Sequence, residues 1–212
     1  MSNMNYNRLE EKFNFITHYI GAGMAIAGCV SLIVHAVKTE YPSYIVGSAI
    51  FGGALILMYV MSGTYHLLEE GKAKKVFKIL DHSAIYVLIS ASYTPYLLTV
   101  LEGKSRWILF AIQWGLTFLG IIFKIFFVGR FKILSTLLYI IMGWIVVFVF
   151  KDLKNSLSPI SLNLLVIGGV TYTIGTVFYA MKKLKFAHSI WHMFVIGGSI
   201  LNYLSIYNII HI

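Results

Sequence analysis

Apolar residues fall into seven long runs separated by short polar stretches: Phe15 to Val37, Ser43 to His66, Ile79 to Leu101, Trp107 to Phe123, Ile133 to Phe150, Ile160 to Met181 and Phe186 to Ile210. A bilayer core about 30 Å thick is crossed by about 20 helical residues, and the runs are close to that length. Membrane β-barrels require polar and apolar positions to alternate, whereas Ile140 to Phe150 is apolar on every face. The pattern therefore predicts an all-α fold, an integral membrane bundle of seven transmembrane helices. The connections are too short for a soluble domain, so residues 1–212 form one domain, with a short N-terminal segment 1–14 outside the membrane.

Composition agrees. Hydrophobic residues make up 58% of the chain and charged residues 12%, against about a quarter charged in soluble domains. A water-soluble globule is excluded. The net charge of +9 does not point to nucleic acid, because the 17 Lys and Arg lie almost wholly between the apolar runs. Arg8, Lys12, Lys72, Lys74, Lys75, Lys78, Lys124, Arg130, Lys132, Lys182, Lys183 and Lys185 fall on the N-terminal side of the membrane. Lys38, Lys104, Arg106, Lys151 and Lys154 fall on the other. The positive-inside rule then places the N-terminus in the cytoplasm and the C-terminus outside the cell membrane. The polar first dozen residues run into the first span without a small-residue cleavage site, so a removable signal peptide is not expected. Cys29, the single cysteine, reads as a small core residue.

This orientation gives each histidine a depth. His18, His66, His82, His188 and His192 lie at cytoplasmic helix ends, and His35 and His211 at the other side. On a helix, His188 and His192 project from one face about 6 Å apart along the axis, a chelating spacing. Ser62 and His66 repeat that geometry on the second span, and Asp81 opens the third at the same depth. Three neutral imidazoles suit a borderline ion such as zinc and leave one tetrahedral position for water, which Asp81 could hold or deprotonate. Two blander readings stand beside this one: the paired histidines as interfacial polar decoration, and Asp81 as an N-terminal cap on span three, with Ser83 nearby. His82 lies about 100° round the helix from Asp81, so both are not expected to face one site.

Elsewhere structural roles suffice. Pro95 is expected to kink span three, with Tyr93 and Thr94 taking up the freed carbonyl. Trp107, Tyr41 and Tyr44 fit an aromatic interface belt. Tyr172, Thr173 and Thr176 predict interhelical hydrogen bonds. Gly21 with Ala25, and Gly169 with Thr173, predict close helix approach.

Ser62-x-x-x-His66, the stretch Leu80 to Tyr86, the segment Tyr93 to Tyr96, His188-x-x-x-His192 with Phe194 and Val195, and Glu11-x-x-Asn14-x-x-Thr17-His18 together resemble the bacterial hemolysin III family. That family is related to the progestin and adipoQ receptors, which include the adiponectin receptors. The motifs occur in order over nearly the whole chain. The resemblance implies seven helices with the N-terminus inside. It also implies a zinc ion near the cytoplasmic leaflet on His66, His188 and His192, with Asp81 holding water at the ion and Ser62 nearby. Asn202 is a departure, since many bacterial relatives carry a histidine there. Relatives have been linked to ceramide hydrolysis, so the first function implied is a zinc-dependent hydrolase of a lipid amide or ester, with membrane lipid as the partner. The alternatives are a cytolysin that permeabilises membranes and a zinc-stabilised membrane sensor or regulator of lipid and membrane-energy homeostasis.

Overall fold

A computed structural model describes residues 2–181 and 184–210; His211, Lys182 and Lys183 lie outside the described residues. The chain forms helices α1 (Ser2–Lys38), α2 (Pro42–Leu67), α3 (Lys72–Thr99), α4 (Gly103–Phe127), α5 (Lys132–Trp144), α6 (Phe150–Ser156), α7 (Pro159–Ala180) and α8 (Ala187–Ile210), with a 3-10 stretch Ile145–Val149 between α5 and α6. No strand occurs among the described residues. Residues 2–14 belong to α1, which is already helical at Ser2.

Among the described residues six helices are long and apolar enough to cross a membrane: α1 from Arg8, α2, α4, the composite Lys132–Ser156, α7 and α8. Helix α3 is 28 residues long, but Lys72, Lys74, Lys75, Lys78, Asp81 and His82 dilute its first half. Lys72 and Lys75 are exposed at its start, whereas Asp81 is buried where α3 packs between α2 and α4. The bundle is inverted relative to a soluble protein. Large apolar residues such as Phe126 and Phe148 face outward, Phe148 at 85% exposure, whereas Asn14, His18, Gln113, Lys124, Asn202 and Ser205 are buried. In lipid no water competes for polar groups, so they turn inward, and all of these except His18 find hydrogen-bond partners inside the bundle.

Sequence neighbours pack as α1 on α2, α2 on α3, α3 on α4 and α7 on α8, and α1 closes the ring by packing on α8. Glycine permits the closest approaches. A Cβ at Gly52 would collide with the Cys29 sulfur, and one at Gly120 would lie 2.7 Å from the Tyr86 ring. Gly21 also behaves as expected, since a Cβ there would lie 2.9 Å from the Tyr59 ring. Gly169 does not: nothing lies within 4 Å of a Cβ there, and the residue lines a cavity. Lys124 is not a loop cation. It sits inside α4, 2% exposed, and its Nζ donates to Ser135 Oγ at 2.6 Å.

The expected unbroken fifth span, Ile133 to Phe150, is interrupted. In a continuous helix Val146 N–H would bond to Met142 O. Instead Val146 N–H donates to Tyr93 Oη at 2.9 Å, Tyr93 Oη donates to Gly143 O at 2.6 Å, and Gln113 Nε2 donates to Met142 O at 2.9 Å. Side chains of α3 and α4 thus take over the groups that the break releases. Tyr93 is committed to this role and Thr94 bonds back to Ser90 O at 2.9 Å, so neither serves Pro95 as expected. Two members of the polar face on α7 do make the predicted interhelical bonds: Tyr172 Oη to Ser199 Oγ at 2.8 Å, and Trp144 Nε1 to Thr173 Oγ1 at 3.0 Å.

Candidate metal centre

Helix α2 buries Ser62 and His66 on one face, and α8 turns His188 and His192 toward it. The Nε2 atom of His188 lies 3.2 Å from His66 Nε2 and 3.1 Å from His192 Nε2. The three ligand atoms all lie within 4.8 Å of one another. Two imidazole nitrogens on one tetrahedral zinc, each at 2.0–2.1 Å, sit about 3.3 Å apart. The observed spacing fits that geometry. It fits hydrogen bonding less well, because a ring nitrogen carries either one proton or one lone pair, and His188 Nε2 faces two partners. A cation among the three nitrogens accepts all three lone pairs at once.

The flanking contacts prepare the rings for this. His66 Nδ1 meets Glu11 Oε2 at 3.1 Å, and Lys74 Nζ donates to the same oxygen at 3.3 Å. Donation from Nδ1–H to a carboxylate leaves Nε2 with its lone pair, the arrangement usual behind a ligating histidine. Ser189 Oγ donates to Asn14 Oδ1 at 2.6 Å, which fixes α1 against the first turn of α8. Glu11, Asn14 and His18 therefore dock one face of α1 on the site. Their spacing of three and four residues is the signal, legible in the sequence, that gives Glu11 its place.

Asp81 is buried and lines the cavity beside the histidines, as does Ser62. Its reading as a helix cap fails, since α3 begins at Lys72 and Asp81 lies well inside it. The expectation that Asp81 and His82 point apart is also corrected: His82 Nδ1 lies 3.1 Å from Asp81 Oδ2 and 2.9 Å from Lys78 O. Two acceptors at one nitrogen mean that Nδ1 carries the proton. The side chains bend toward each other, and both residues line the cavity. His82 is no member of the metal-binding group; His35 bonds to Ser31 O at 2.7 Å, away from it. Asn202 Nδ2 donates to Gly198 O at 3.1 Å.

The histidines stand at one end of a cavity of 690 Å³. Along α3 its wall runs from Asp81 through Leu88, Ser92 and Tyr96 to Leu97, and Leu101 just beyond the helix continues it. At about 1.5 Å per residue the helical part alone is about 24 Å. Val146, Val147, Val149 and Phe150 of the interrupted span form part of the opposite wall. Polar groups collect at the histidine end, and most of the remaining wall is aliphatic or aromatic.

A sequence profile described as Haemolysin-III related matches residues 6–203. The chain is 47% identical to Hemolysin-3 of Bacillus cereus over 190 residues, which cover 90% of this chain and 87% of that protein. It is 46% identical to the Hemolysin-3 homolog of Bacillus subtilis (strain 168) over 90% of this chain and 89% of the relative. The Homo sapiens Monocyte to macrophage differentiation factor is 27% identical over 95% of this chain and 85% of its own length. No solved structure matches.

Proposed function

Because the chain belongs to the haemolysin-III-related family of multi-pass membrane proteins, we propose that it is a zinc-dependent hydrolase of a lipid amide or ester. In this reading α3 is a seventh crossing, with the N-terminus in the cytoplasm and the C-terminus outside, as the basic residues favour. The histidine cluster then lies near the inner leaflet of the plasma membrane. The observation that carries the proposal is a triangle of imidazole nitrogens at the head of a long apolar cavity.

His66, His188 and His192 would hold the ion, and Glu11 would keep His66 in the tautomer that binds it. When bound, zinc supplies Lewis acidity toward a carbonyl and toward water at neutral pH. Asp81 accepts a proton at its carboxylate and returns it to the leaving group, and the Ser62 hydroxyl holds that carboxylate in place. The largely apolar wall that includes Leu88, Ile89, Leu97 and Leu101 receives the acyl chain and excludes water. Purified zinc-loaded protein incubated with N-acyl and O-acyl lipids should release fatty acid. A protein that keeps stoichiometric zinc and releases none from either class would favour the sensor reading, in which the ion only ties α2 to α8.

The relatives' name suggests cytolysis, but the outward-facing apolar surface suits a resident of the bilayer better than a released toxin. Glu11→Gln should weaken zinc binding roughly 10–100-fold, the usual cost of losing an outer partner of a ligand. Competition against a chelator of known affinity measures it. Unchanged affinity would remove Glu11 from the site.

A further inference from the structure

We infer that His18 recognises the polar head of the lipid in the cavity, a role that rests on the lipid reading above. The His18 ring is 2% exposed and lines the cavity next to the histidine cluster. Both of its nitrogens are buried without a hydrogen-bond partner. The other buried, unpartnered groups differ: Ser83 Oγ, Tyr86 Oη and Arg106 Nε line no part of the cavity, and His192 already directs its Nε2 to the cluster.

Its neighbours leave those nitrogens unsatisfied. His18 stacks on His192 with ring centroids 3.5 Å apart and 12° between planes, and meets Tyr59 in a T-shaped contact at 5.2 Å. A stacked ring keeps its nitrogens in its own plane, pointing past the ring it covers. Buried polar groups are almost always paired, so two orphaned nitrogens on a cavity wall point to a partner that enters the cavity.

The ring's chemistry selects that partner. A neutral imidazole offers one donor and one acceptor. A head group carrying an amide or a hydroxyl supplies the complement of both, whereas an ionised carboxylate only accepts and a hydrocarbon does neither. His18 therefore favours an N-acyl amino alcohol over the free fatty acid of the same chain, which helps product leave. It acts by positioning the head group and holds no ion.

The test uses the full chain in lipid nanodiscs, with Asp81→Asn in every protein compared, the parent included, so that the amide probe is not cleaved into the acid. Trp144 and Trp191 line the cavity, so brominated acyl chains report binding by quenching their fluorescence. The probes are N-(9,10-dibromostearoyl)ethanolamine and 9,10-dibromostearate. His18→Phe should lose roughly tenfold in affinity for the amide, the scale of one or two hydrogen bonds, with less than a twofold change for the acid. Zinc content and melting temperature should match the parent protein, and His18→Asn, which keeps a donor and an acceptor, should recover part of the loss. Equal losses on both probes, no loss on either, or departure of zinc with the ring would overturn the assignment. If His18→Phe does not fold, His18→Ala carries the same comparison. A parent protein that binds neither probe would instead remove the lipid reading itself.

Discussion

His188→Ala protein is expected to purify with almost no tightly bound zinc, where the parent chain should hold about one ion per molecule. His188 is the hinge of the cluster, since its Nε2 lies 3.2 Å from His66 and 3.1 Å from His192. Removing it leaves two nitrogens from different helices. The loss in affinity should exceed the roughly 10–100-fold that follows loss of an outer partner. Because an ion that binds only the folded chain adds to its stability, chelation should lower the melting temperature of the parent but leave that of His188→Ala unmoved. Elemental analysis of both proteins, with melting curves before and after chelation, measures this. Full zinc occupancy in His188→Ala would mean that the imidazoles meet for another reason.

Asp81→Asn should do the reverse, keeping zinc and fold while losing hydrolysis by about 10²–10⁴-fold, the range for a positioned acid or base. Asparagine preserves the shape and can still face Ser62 and His82, but its amide cannot take up a proton. The comparison of fatty acid release at equal zinc content separates the roles. Loss of zinc would make Asp81 a ligand. Undiminished release would leave the carboxylate a structural partner of His82, 3.1 Å away.

Much of this was legible in the sequence because lipid imposes a length on each crossing and helix geometry fixes which residues share a face. Six of the runs coincide with helices or composite helices that can span a bilayer. The pairing of His188 with His192 follows from their spacing, and His66 joins them through its depth on α2. The misreadings have a common origin in long-range contacts. The interruption of the fifth span depends on Tyr93 and Gln113, which precede it by a helix or more and whose positions carry no local signal for a break. The start of α3 lies well before the apolar run, since a helix can continue into a charged segment that no hydropathy pattern marks. Asp81 and His82 converge because side-chain torsions can bring adjacent residues together despite the angle between their Cβ vectors. The place of Glu11 was half visible: Glu11, Asn14 and His18 mark a face, but nothing local says what that face meets.

The cluster draws on residue 66 and on residues 188 and 192, with Glu11 contributed by the first helix. During synthesis, then, no binding site exists until α8 has emerged from the ribosome and packed beside α1 and α2. An ion captured at that moment would join segments 122 positions apart in the nascent polypeptide, so metal loading would record that α8 has reached its place in the bundle.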